Sequence, residues 1–133
     1  MNDMAITETI ELSKDEIEEF DALTEELRKE LIREVFARLD ERAEKRLFVG
    51  YCSSDRESYD AGSVIVNEVA FEGSHDSGSM DVSFTGSTYM GCRDIDIEHD
   101  HDEVVTFRLI RECELIEFAT APPDHGERTL DDI

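Results

Sequence analysis

The chain changes its hydrophobic period partway along, and that change decides the fold class. Between residues 13 and 47 the apolar side chains recur at steps of three and four: Ile17, Phe20, Leu23, Leu27, Leu31, Val35, Leu39, Ala43 and Leu47. This is the period of a helix with one buried stripe, which Ile32 and Phe36 widen over the middle turns. The start is well marked. Ser13 and Glu16 form a capping box, and Leu12 and Ile17 occupy the positions of a hydrophobic staple. Pairs of opposite charge line the other face: Glu25 with Lys29, Glu34 with Arg38, Glu41 with Lys45. Neither Gly nor Pro interrupts residues 13–49, so an unbroken helix would reach ~50 Å. That length exceeds the norm, and a break is expected near Asp21 or Thr24, either of which can cap a second helix.

Beyond this segment the pattern becomes that of strands. Residues 47–52 are a short apolar run, and residues 53–62 a polar loop. Residues 63–71 are rich in Val and Ile. A Gly- and Ser-rich turn cluster over residues 73–78 follows. Met80, Val82 and Phe84 then alternate with Asp81, Ser83 and Thr85, the pattern of a half-buried strand. Residues 86–91 read as irregular. Ile95 and Ile97, then Val105, Phe107 and Leu109, alternate with polar residues, and residues 113–118 are a last strand after a tight turn at Arg111 and Glu112. Residues 6–12 also alternate, as a short strand or ordered arm. The expected fold is α+β: an N-terminal long helix, or two helices, packed on an antiparallel β-meander of about four to five strands. One domain spans residues 1–120, and residues 121–133 form a flexible acidic tail. The helical stripe must cover something, either this sheet or the helix of a second copy in a homodimer.

The composition excludes several classes. In 133 residues there are 35 acids against 13 Lys and Arg, a formal charge of −22. Direct binding of nucleic acid requires the opposite sign. No apolar run approaches the ~18 residues of a membrane span, and the acidic first 20 residues have no secretory apolar core. Three cysteines without a CxxC spacing imply a reducing cytoplasm. Cys52 and Cys113 read as small core residues, whereas Cys92 sits in a Gly-flanked turn. Neither a phosphate-binding Gly-rich loop nor a GxSxG elbow is present. No enzyme activity and no cofactor are therefore expected.

The placement of the charge is more informative than its total. Residues 13–46 carry 12 acids and 8 bases, whereas residues 47–133 carry 20 acids and only 5 bases. The densest stretch runs from residue 93 to 103. If it is extended, Asp94, Asp96, Glu98, Asp100 and Asp102 share one face at ~6.8 Å intervals. Such a ladder of like charges opposes folding by roughly a few tenths of a kcal/mol per exposed pair; a cation, a basic partner or a salty solvent can offset it, and a solvated acidic hairpin with no role is the plain alternative. His99 and His101 share a face with each other, but two imidazoles fall short of the four ligands of a closed zinc site. The calcium-loop pattern fails too, because Val105 stands where a bidentate Glu belongs. No metal is assigned. The expected partner-binding surface comprises Asp94, Asp96, Glu98, Asp100, Asp102 and Glu103, extended by Asp76 and Asp81. Asp55, Glu57 and Asp60 form a second acidic loop, and Tyr51, Tyr59 and Tyr89 are candidate rim anchors.

In charge and size the chain resembles phage-encoded anti-CRISPR and anti-restriction proteins that mimic DNA, a class of many folds. The resemblance implies a basic nucleic-acid-binding partner, such as a Cas effector, a restriction enzyme or another nuclease, met in the host cytoplasm. An immunity protein or antitoxin against a basic nuclease uses the same physics. A third reading is a haloadapted domain, because low Lys (three, against ten Arg) with abundant acid also marks adaptation to salt.

Overall fold

The computed structural model describes residues 6–48, 51, 57–60, 62–90 and 95–121. The fold is α+β. Strand β1 (Ile6–Glu11) leads into three helices, α1 (Lys14–Ala22), α2 (Glu25–Phe36) and α3 (Glu41–Phe48). Strands β2 (Glu57–Tyr59), β3 (Ile65–Glu72), β4 (Ser74–Met90), β5 (Ile95–Ile110) and β6 (Leu115–Thr120) follow. All pairings are antiparallel, in the order β1-β6-β5-β4-β2, with β3 also on β4. The leading strand thus pairs with the last one, Ile6 opposite Thr120.

The long helix, or two helices, expected from the stripe are three, because two polar side chains cap new starts. The capping box at Ser13 forms as expected, with Ser13 Oγ accepting from Glu16 N–H and Glu16 accepting from Ser13 N–H. Thr24 Oγ1 accepts from Leu27 N–H and starts α2, at the break foreseen near Asp21 and Thr24. The second break was not foreseen: Asp40 Oδ1 accepts from Ala43 N–H at 2.8 Å and opens α3. Each break lets a short segment bend back over the sheet, so that one stripe covers a twisted surface.

Other expectations also need correcting. Leu47 and Phe48 end α3 and are fully buried, so the apolar run read as β-like begins in a helix. The Gly- and Ser-rich cluster narrows to a turn at Gly73, whose φ of 74° suits glycine; Ser74 already belongs to β4. That strand continues through the stretch read as irregular, to Met90. Cys113 is exposed in a 3₁₀ turn (Arg111–Cys113), held by left-handed Glu114 (φ 54°), and is no core residue. Cys52, Cys92 and the tail beyond residue 121 lie outside the described residues.

The core lies between the helices and one sheet face. Phe36 packs edge-on to Phe118 at 5.1 Å between ring centres, and Phe48 lies 4.8 Å from Phe84. Ile32, Val35, Val82, Val105 and Phe107 complete this layer. Buried Thr120 donates from Oγ1 to Leu47 O, satisfying a carbonyl of the last turn of α3. Along the apolar helical stripe Phe20, Val35, Ala43 and Leu47 are buried, Ile17, Leu23, Leu31 and Leu39 half-buried, and Leu27 exposed. Among the described residues no helix is long and apolar enough to cross a membrane.

Candidate protein-binding face

Strand alternation divides the residues of β5 between two environments. Val105, Phe107 and Leu109 point into the core, whereas Glu98, Asp100, Asp102 and Val104 point to the open face of the sheet. The register brings β4 residues of the same open face alongside: Ser87 beside Glu98, Thr85 beside Asp100, Ser83 beside Asp102, Asp81 beside Val104. Strand β3 adds Glu68 directly opposite Asp81, and Ile65 opposite Ser83. The open face thus carries carboxylates on three adjacent strands, interleaved with small hydroxyl side chains.

The expected site residues separate accordingly. Glu98, Asp100, Asp102 and Asp81 share this face. Glu103 belongs to the other face and is half-buried. Asp76 is remote from the ladder and bonded to Arg111. Asp96 lies on β5 opposite Tyr89; the side chains of Asp96, Tyr89 and Glu57, and all of Asp94 and Asp55, lie outside the described residues. Asp60 accepts from Ser87 Oγ at 2.8 Å. Tyr59 is a buried core residue, and Tyr51 is half-buried, its hydroxyl donating to Ala121 O. Sequence reading missed Glu68, hidden in a stretch noted only for Val and Ile, although its alternation with Val69 was there to be seen.

Elsewhere several acids have basic partners. Lys29 lies near Glu25 and Glu26, Arg33 bonds Glu30, Arg38 bonds Glu16, and Arg46 bonds Glu8. Arg38 thus turns to Glu16 on α1 in preference to its helical neighbour Glu34, and lowers the Glu16 carboxyl pKa. The strongest node ties three elements together. The Arg111 guanidinium donates to both oxygens of Asp21 on α1 and to both oxygens of Asp76 on β4. This node holds Asp21 at a pKa of about 2, chiefly through the Arg111 hydrogen bonds, with His75 Nε2 at 3.1 Å adding to the effect. Asp76 is lowered by the same arginine. Among the described residues no ion pair joins Glu98, Asp100, Asp102, Asp81 or Glu68 to a base.

His99 and His101 share a face, as the spacing requires, but it is the face opposite the ladder. His101 stacks on Phe84 at 4.9 Å, and His99 Nε2 lies 3.1 Å from Thr88 Oγ1. Among the described residues no three His, Cys, Asp or Glu side chains come together to hold a metal. A cleft of about 310 Å³ opens beside the ladder, lined by Asn67, Asp81, Val82, Asp102, Glu103 and Val104. A wider hollow of about 790 Å³ at the start of α3 mixes acids with Arg42 and Lys45 and so favours neither sign. Comparison with protein-family profiles, curated proteins and solved structures returned no match.

Proposed function

We propose that this protein is an acidic inhibitor that mimics nucleic acid and blocks a basic DNA- or RNA-binding protein, in the manner of phage anti-CRISPR and anti-restriction proteins. The observation that carries this reading is the contrast between the two sides of the fold. Five helix acids (Glu16, Asp21, Glu25, Glu26 and Glu30) have an Arg or Lys partner, whereas among the described residues Glu68, Asp81, Glu98, Asp100 and Asp102 of the open sheet face have none, the Arg108–Glu117 pair standing apart from them on that face. Adaptation to salt alone gives no reason for such segregation. A rigid sheet holds like charges at fixed spacing with little entropy left to lose on binding. Its field steers a basic groove toward it, and carboxylates accept from Arg and Lys as phosphates do.

The test is capture of partners from host lysate on tagged protein at ~100 mM salt, where charge attraction reaches about 10 Å. The expected outcome is one stoichiometric nucleic-acid enzyme, displaced by duplex DNA and not captured by Glu98→Lys/Asp100→Lys/Asp102→Lys. A partner that DNA does not displace, or one that the folded triple variant still captures, refutes the reading. A basic toxin nuclease as the captured protein would instead make this an immunity protein.

A further inference from the structure

We infer that the cleft beside the ladder is the anchoring point of the open face and takes a single arginine side chain of the partner. This rests on the open face being the working surface, and it names the group that face recognises. The cleft forms because β3 carries an irregularity between Val66 and Glu68, where the register on β4 slips and Asn67 becomes an extra residue on the exposed side. Two of its hydrogen bonds run one way. Asn67 Nδ2 donates to Ser83 Oγ at 2.7 Å, and Ser83 Oγ donates to Asp102 Oδ1 at 2.8 Å. One Asn67 N–H and the Ser83 hydroxyl are thereby engaged, while Asn67 Oδ1, Asp102 Oδ2 and the Asp81 carboxylate offer acceptors.

The walls add an apolar component. Val104, which lines the cleft, is 52% exposed, and Ile65, opposite Ser83 on the same face, is 61% exposed. An acceptor-rich rim beside bare aliphatic surface suits a planar cation with several donors and an apolar stem. Guanidinium offers five N–H donors in a fixed fork and is more weakly hydrated than ammonium, so arginine fits better than lysine. Its methylenes lie along Val104 as the head reaches Asp81 and Asp102. The Asp81 and Glu68 carboxylates stand directly opposite one another, an unfavourable pair that an inserted cation relieves.

The experiment titrates labelled octa-arginine and octa-lysine peptides into the full-length protein at low salt, with backbone amide shifts as the map. Two variants make the same charge change at different places: Asp81→Asn/Asp102→Asn in the cleft, and Glu98→Gln/Asp100→Asn on the ladder beyond it. The expected result is tighter binding of octa-arginine than of octa-lysine. Shifts should centre on Asn67, Asp81, Asp102 and Val104. The cleft variant should lose about fivefold or more of its octa-arginine affinity and the ladder variant about twofold or less, beyond the shared loss of two charges. Equal losses in the two variants, no preference for arginine, or shifts spread evenly along β5 overturn the inference. Melting curves of both variants confirm that they fold. The titration needs no host enzyme, so its failure is separable from failure of the lysate capture. Capture that persists when the cleft preference fails leaves a mimic that binds by diffuse charge; an arginine-selective cleft on a protein that captures no nucleic-acid enzyme leaves the inference standing and the proposed function refuted.

Discussion

Replacing Gly78 with alanine is the sharpest test of how the sheet is assembled. Gly78 sits on β4 between Phe71 of β3 and Phe107 of β5. A Cβ there would lie 2.1 Å from Ala70 O, 2.8 Å from Phe107 Cζ and 2.9 Å from Phe71 Cα. Ordinary contact begins at 3.4 Å, so the worst of these distances is short by about 1.3 Å. The Phe107 ring can tilt away, but Ala70 O is backbone and moves only with its strand. Relief therefore pulls β3 off β4 around Ala70 and Phe71. Overpacking of this kind costs up to about 3 kcal/mol, and a lost ladder hydrogen bond adds ~1 kcal/mol, for a total of about 3–4 kcal/mol. In a chain of this size that lowers Tm by roughly 10–15 °C. Thermal and urea unfolding followed by circular dichroism measure it. Gly73→Ala is the control, because its Cβ meets nothing within 4 Å and only the left-handed φ of 74° opposes it, a cost of about 1–2 kcal/mol. Equal destabilisation by the two substitutions, or a Gly78→Ala Tm within ~3 °C of wild type, would refute the close-approach argument.

Four further outcomes follow from the same geometry. Glu98→Lys/Asp100→Lys/Asp102→Lys should fold with unchanged or slightly higher stability, by up to about 0.5 kcal/mol at low salt, because it inverts the row within a chain of net charge −22 and so lowers the overall self-repulsion; a loss above ~2 kcal/mol in urea melts would show that the row supports the fold. Asp21 is depressed from 3.8 to about 2, so its ion pair stabilises the protein fully above pH 3.8 and is lost as pH falls from there toward about 2. The side chain is 42% exposed, so solvent screening holds this contribution below ~1 kcal/mol, and Arg111→Gln should flatten that part of the acid-stability curve. Thr24→Ala and Asp40→Ala should each cost about 1 kcal/mol in chemical denaturation through loss of a helix cap. Cys113, exposed in its turn, should react with a thiol reagent in native buffer without prior unfolding.

The strands of the core were legible because a half-buried strand writes its burial into alternate residues. Met80, Val82 and Phe84, and again Val105, Phe107 and Leu109, read directly as inward faces and are buried. Thr24 was readable as a cap because a hydroxyl followed by acids and then an apolar stripe has few other uses. Asp40 was not: the apolar stripe runs through it without a change of phase, and only its bond to Ala43 shows the break. The turn at Gly73 was blurred by the Ser and Gly residues after it, which enter β4 because Gly78 is needed for close approach. On the candidate face the row Glu98, Asp100 and Asp102 followed from period two alone. Glu103 followed only from adjacency, which strand geometry overrules. The cleft was invisible in the sequence, since it depends on an irregularity that pairing reveals and local pattern does not.

The pairing of Ile6 with Thr120 has a consequence for the order of assembly. On the ribosome β1 emerges before the other described elements, yet β6, its strand partner among the described residues, emerges after them. The meander of β3, β4 and β5 joins neighbours in sequence and can form early, whereas β1 must wait as a loose end with its backbone groups in water. Its docking on β6, beside α3, is then the clasp that closes the nascent chain. Until that moment a ribosome carrying an unfinished copy exposes the unpaired edges of β1 and β5, so this vulnerable period ends only when β6 is made.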